Sequence, residues 1–90
     1  MPTGKSYYVY IVECIDGTYY TGLSNDVEKR IRRHNGLLCG GAKYTSTRRP
    51  VKMIALSIPL ENRSQATKLE YKVKKQKRSN KVKFLLGYGK

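Results

Sequence analysis

Tyr7-Tyr8-Val9-Tyr10-Ile11-Val12-Glu13-Cys14-Ile15-Asp16-Gly17-Thr18-Tyr19-Tyr20-Thr21-Gly22 has the outline of a β-hairpin. Residues 7–15 are rich in Tyr, Val and Ile, Asp16-Gly17 is a turn dipeptide, and residues 18–22 are placed to return as the antiparallel partner. Residues 7–12 are apolar without interruption. A strand needs that only when both of its faces are covered, so this one is expected at the centre of a sheet. Loop length decides the register. A two-residue turn at Asp16-Gly17 pairs Ile15 with Thr18 and throws Tyr10 and Tyr20 onto opposite faces. A three-residue loop, Ile15-Asp16-Gly17 with Gly17 left-handed, pairs Cys14 with Thr18 and brings both tyrosines to one face. The three-residue register is the expectation.

Working outward, a helix is expected from Asn25, whose side chain caps it, with Asp26 in the first turn and Glu28 three residues after the cap as in a capping box. Val27 and Ile31 form its apolar stripe, and Asn35-Gly36 ends it. Residues 36–49 hold three glycines and no stable period, and are read as a loop. Residues 51–58, bounded by Pro50 and Pro59, have the β-branched and apolar content of a third strand. A second helix is predicted from a cap at Asn62 or Ser64 to about residue 77, with Ala66, Leu69 and Val73 inward. A short third helix follows, capped by Ser79, with Val82, Leu85 and Leu86 apolar and Gly87 as its stop. The expected fold is α+β, a three-stranded antiparallel sheet flanked by helices in the order β-β-α-β-α-α, as one domain over residues 1–90.

Lys and Arg number 19 against six acids, a formal charge of +13. Such an excess calls for a polyanionic partner. Nucleic acid comes first, because neutralising phosphates releases counterions. An anionic membrane surface comes second, since the basic residues accompany no strongly apolar helix face. The chain opens without a secretory signal and holds no run of ~20 apolar residues, so it is expected to be cytoplasmic and free of membrane. Cys14 and Cys39 make neither a disulfide framework nor a zinc spacing, and read as a buried strand residue and a loop thiol.

At about 100° per residue, Arg30 and His34 fall beside the Val27/Ile31 stripe, while Lys29, Arg32 and Arg33 face outward. Glu70 falls roughly 65° from the centre of the Ala66/Leu69/Val73 stripe. These polar groups belong at the rim of the core, where neighbours hold a side chain still beside a concave site. Each also has an ordinary structural reading. Arg30 can snorkel over the sheet, His34 can serve the helix dipole, and Glu70 can pair with Lys74.

Taken together the residues form a pattern. Tyr8-Val9-Tyr10, Tyr20-Thr21-Gly22, the helix carrying Arg30 and His34, and the single Glu70 resemble the GIY-YIG nuclease superfamily over residues 8–77. Gly41-Ala42-Lys43-Tyr44-Thr45 and Arg49-Pro50-Val51 are similar to its small single-domain bacterial branch. Tyr8 departs from the first glycine and Thr21 from the middle isoleucine; Asn80 lies near the region of the family's C-terminal Asn and is left unassigned. The resemblance implies endonucleolytic hydrolysis of a nucleic-acid phosphodiester, DNA before RNA, in DNA repair or recombination.

By the same resemblance Tyr10, Tyr20, Arg30, His34, Lys43 and Glu70 are catalytic, and Glu70 holds one Mg²⁺ or Mn²⁺ ion. The other acids show no pairing with Glu70, as a two-metal site would require; one hard cation completed by water and phosphate suits a lone carboxylate. Arg30 has the donor fork for developing phosphoryl charge. Tyr10 and Tyr20 orient or deprotonate the water, with Arg30, Lys43 and the metal favouring phenolate, and His34 is the competing base. Lys29, Arg32, Arg33, Lys43, Arg48 and Arg49 are the expected nucleic-acid contacts, on a monomer. The alternative is a catalytically idle basic nucleic-acid binder on the same scaffold; a protein-docking adaptor leaves the charge unexplained.

Overall fold

A computed structural model describes residues 6–37 and 43–89, with the side chain of Lys43 outside the description. The elements are β1 (Tyr8–Cys14), β2 (Tyr19–Ser24), α1 (Val27–His34), α2 (Lys43–Ser46), β3 (Val51–Leu56), α3 (Arg63–Lys74) and α4 (Arg78–Gly87). The strands form one antiparallel sheet in the order β2-β1-β3, so β1 is central as its apolar run requires. The expected order of elements holds. α2 is an addition, a single helical turn inside a segment read as loop, too short to carry a helical period.

The hairpin takes the three-residue register. The Cys14 N–H donates to Thr18 O at 2.8 Å, the Gly17 N–H donates to Cys14 O at 2.9 Å, and Gly17 has φ +82°. That left-handed conformation is cheap only for glycine. Val12 therefore faces Tyr20, Tyr10 faces Gly22, and both tyrosines occupy one face.

Alternation along β1 feeds two cores. Val9 and Ile11 pack with Ala55, Leu60, Ala66, Leu69, Val73 and Leu85 beneath α3 and α4. Tyr10, Val12 and Cys14 pack with Val51 on the other face, where Val27 and Ile31 of α1 cover them. β3 serves both cores, although Val51 and Ala55 have the same parity in sequence. It does so through a bulge: Ile11 pairs with Ala55 but Val12 with Met53, and the extra residue, Ile54, shifts the strand by one face.

Several ends differ from expectation. The α1 cap is Asp26, whose Oδ1 accepts from the Lys29 N–H at 3.2 Å, and its own N–H donates to Ser24 Oγ at 2.9 Å. Asn25 stays outside the helix, and Glu28 pairs with Arg32 at 3.2 Å instead of closing a capping box. Asn62 caps α3, with Oδ1 accepting from the Gln65 N–H at 2.9 Å. α3 ends at Lys74, where Lys81 Nζ donates to the Val73 and Lys74 carbonyls at 3.3 and 3.1 Å. α4 begins after Lys77 with no side-chain cap, so Ser79 lies inside its first turn. β3 stops at Leu56, two residues short of the reading. Among the described residues, no helix is long and apolar enough to cross a membrane.

Candidate active site

The site is built on the β2 edge of the sheet, with α1 on one face and α3 on the other. Tyr10 is fully buried and lies across β2 directly over Gly22. A Cβ on Gly22 would stand 2.5 Å from the Tyr10 hydroxyl oxygen and 2.7 Å from Cζ. Glycine is there because the tyrosine ring occupies the space of a side chain.

The Tyr10 hydroxyl lies 2.8 Å from His34 Nε2, and His34 Nδ1 lies 2.8 Å from Thr45 Oγ1. His34, which is 0% exposed, thus has both ring nitrogens occupied. The backbone around it is pinned. Arg49 Nε donates to the His34 carbonyl at 2.7 Å, the Val51 N–H donates to Asn35 Oδ1 at 2.7 Å, and Asn35 Nδ2 donates to Val51 O at 3.1 Å. Tyr20 meets the His34 ring edge-on at 5.1 Å and stacks on Tyr44 at 5.8 Å.

A cleft of about 500 Å³ opens beside this cluster, lined by Tyr10, Tyr20 and Gly22 from the hairpin, Arg30 and Arg33 from α1, and Arg63, Thr67 and Glu70 from α3. Tyr10, Tyr20, Arg30 and Glu70 therefore meet in one place, as the sequence reading placed them. Glu70 is half-buried, lies 3.5 Å from Lys74 Nζ, and is the one acid among the described residues lining the cleft. Its ordinary pairing with Lys74 and its cleft position coexist.

The other candidates divide. His34 sits behind Tyr10 and does not line the cleft. The Lys43 side chain lies outside the described residues. Lys29 and Arg32 are exposed on α1, with Arg32 held by Glu28. Arg33 was expected to face outward, yet it is half-buried and faces the cleft one turn beyond Arg30. Arg48 donates to Asp16 at 3.0 Å and to the Tyr44 carbonyl at 2.8 Å, and lies over the Tyr44 ring at 4.0 Å. Arg49 bonds the end of α1. Those two arginines hold local structure together.

Electrostatics alter the proton inventory. Burial pushes the Tyr10 phenol up to about 12; Arg30, which hydrogen-bonds it, pulls the other way but is outweighed, and Tyr20 and Glu70 add to the rise. Nearby cations were expected to favour a phenolate. At Tyr10 desolvation wins, and the hydroxyl keeps its proton at neutral pH. Burial first, then the charges of Arg30 and Arg49, lowers His34 to about 4. It is a neutral imidazole, one nitrogen donating and the other accepting. This fits a chain in which Arg30 donates to Tyr10 oxygen, Tyr10 to His34 Nε2, and His34 Nδ1 to Thr45.

Three contributors escaped the sequence reading. Thr45 and the amide of Asn35 act through contacts 11 and 16 residues away, which depend on where the chain returns. Arg63 carried no signal beyond its charge, although Arg63, Thr67 and Glu70 follow the i, i+4, i+7 spacing of one helix face.

A family model for the GIY-YIG catalytic domain matches residues 6–83. The chain belongs to the GIY-YIG family. Membership places it in a nuclease family and assigns its hairpin and α1 to the family's catalytic domain. Relatives of the chain include a UPF0213 protein of Staphylococcus saprophyticus, 44% identical over 79 residues that span 88% of this chain and 93% of the relative. A UPF0213 protein of Staphylococcus aureus is 42% identical over 80 residues, 89% of this chain and 94% of its own. Two structures solved in solution share the fold. One, from E. faecalis, is 42% identical with a TM-score of 0.61 and covers 94% of this chain and 88% of its own; the UPF0213 protein BH0048 from Bacillus halodurans is 40% identical with a TM-score of 0.51, over 87% and 80%.

Proposed function

We propose that this GIY-YIG protein is a metal-dependent endonuclease that hydrolyses DNA phosphodiester bonds at the β2-edge cleft, in a DNA-repair or recombination setting. One observation carries the reading: Tyr10, Tyr20, Arg30 and Glu70, spread over 61 positions of the chain, line or close a single cleft. An idle binder has no need of that convergence.

Among the described residues there is no group of three or more His, Cys, Asp or Glu able to enclose a metal ion. The donor set instead suits one hard cation such as Mg²⁺ or Mn²⁺, with Glu70 as its protein ligand and water and phosphate oxygens as the others. Such an ion supplies charge neutralisation at the phosphoryl and leaving oxygens. The chain's own residues do the positioning. Arg30 directs its donors at the phosphoryl oxygens and stabilises the charge that builds on them in the transition state. Tyr20 is half-buried with its ring in the cleft wall, and we assign it the orientation and deprotonation of the attacking water. Tyr10, a protonated phenol, fixes Arg30 and is itself fixed by His34. His34 is thus a positioning group, held neutral by burial.

The test is Mg²⁺-dependent cleavage of labelled single-stranded, duplex and branched DNA by the parent protein and by Glu70→Ala. Cleavage lost with binding retained supports the enzyme. A parent that binds every substrate and cuts none at any metal concentration supports the idle binder instead.

A further inference from the structure

The cleft carries more positive charge than one scissile phosphate requires. Arg30, Arg33 and Arg63 all line it; Glu70 is the one acid among its described lining residues and already has Lys74 at 3.5 Å, while Asp26 lies in an adjoining pocket with Arg30 and Arg33. Confined like charges repel unless an anion lies between them. Arg33 adds an independent sign: among the described residues its Nε is a buried side-chain nitrogen with no hydrogen-bond partner. Native structures rarely leave such a donor unmet without a reason.

Placement separates these arginines from the scissile position. Arg63 is seven residues before Glu70 on the same face of α3, about 10 Å along the helix axis at about 1.5 Å per residue. Thr67 stands between them and also lines the cleft. The first turn of α3 contains no acid, and its N-terminus is capped by the neutral side chain of Asn62. Arg33 approaches from α1, which packs on the opposite face of the sheet, and both side chains reach the same cleft around the β2 edge. Two planar donor forks converging from separate elements suit a tetrahedral anion with several acceptors, and suit it better than ammonium groups would.

We infer that Arg33 and Arg63 form a clamp for a second phosphate of the nucleic-acid strand, next to the one cleaved, so that the backbone runs along the cleft from Glu70 toward the start of α3. The assignment rests on the nuclease reading only for the identity of the strand; the clamp itself is a phosphodiester-binding subsite.

The experiment titrates a fluorescein-labelled DNA oligonucleotide, single-stranded and as duplex, with the 90-residue chain in chelator, so that binding is read without cleavage, over a series of salt concentrations. Arg63 is exposed, so its replacement by Ala is expected to leave the thermal melting temperature unchanged. Arg63→Ala is expected to weaken binding about tenfold at low salt and to reduce the log-log salt slope by about 1, and Arg33→Ala/Arg63→Ala by about 2. Arg33→Lys keeps the slope and loses affinity, because charge remains without the fork. Lys52→Ala, on exposed β3 away from the cleft, controls for the loss of one charge. In cleavage, the double variant raises KM about tenfold with kcat changed by less than about twofold. One uncharged methylphosphonate linkage beside the cut raises the parent's KM and leaves the double variant's unchanged.

Binding and slope unaltered in Arg63→Ala and in the double variant overturn the clamp, even if cleavage proceeds normally. A parent that cuts no DNA while the arginine variants lose affinity and slope overturns the nuclease reading and retains the clamp.

Discussion

Gly22 and His34 show how single side chains set this site. Gly22→Ala drives a Cβ into the Tyr10 hydroxyl, so the ring must leave its place over β2. Overpacking of this kind costs about 1–3 kcal/mol, and cleavage is expected to fall by more than about tenfold while circular dichroism keeps its shape. Tyr10→Phe removes the hydroxyl between Arg30 and His34, leaving buried donors and acceptors unmet. Unfolding free energy should drop by roughly 1–3 kcal/mol in denaturant titration. His34 makes stability depend on pH. Its folded pKa of about 4 lies below the ordinary 6.5, so between these values the unfolded chain binds more protons than the folded one. That stabilisation is complete above pH 6.5 and is lost as pH falls toward 4. The loss is on the order of 3 kcal/mol for His34 alone. Chemical denaturation at pH 7 and pH 4 should show a smaller acid loss for His34→Gln than for the parent.

Elements hold these residues by their ends. α1 is short, eight residues, and its last turn is tied to β3 by the paired Asn35–Val51 hydrogen bonds. Asn35→Ala should lower stability by about 1–3 kcal/mol, because the Val51 N–H and C=O lose their partner, and should lower kcat by letting His34 drift. The sequence contained Asn35 as a helix stop, and that part of its role was legible. Its grip on β3 was not, since it depends on a strand 16 residues on. The cap of α1 moved from Asn25 to Asp26 for a related reason: both side chains can cap, and the bond from the Asp26 N–H to Ser24 Oγ favours the second. Ser79 was passed over because Lys81 hooks back onto the final carbonyls of α3 and sets where the next helix begins.

At the scale of the molecule, one sheet separates two cores, and the cleft lies where both helical layers pass the β2 edge. Glu70 is the only acid after Glu61, so the C-terminal helices present a basic surface around it. Glu70→Ala should abolish metal-dependent cleavage, leave DNA binding unchanged or stronger by anisotropy, and cost little stability, its exposed partner Lys74 being nearly neutral to lose. With a charge of +13, affinity for DNA is expected to fall steeply with salt in an anisotropy titration, and a shallow salt dependence would point to a different partner.

Local chemistry determined the central place of β1, the helical stripes and the two loop registers open to the hairpin, while the convergence of Tyr10, Tyr20, Arg30 and Glu70 was an expectation carried by the family resemblance. Parity along a strand, periodicity along a helix and the turn preference of glycine act over a few residues and need no knowledge of the whole. Tertiary structure decided the rest: that Tyr10 keeps its proton, that His34 is neutral and hidden, that Arg33 turns inward, and that Arg48 and Arg49 bind their own chain. Each of these depends on desolvation and on partners brought in from distant segments, and those quantities exist only once the two cores have closed on the sheet.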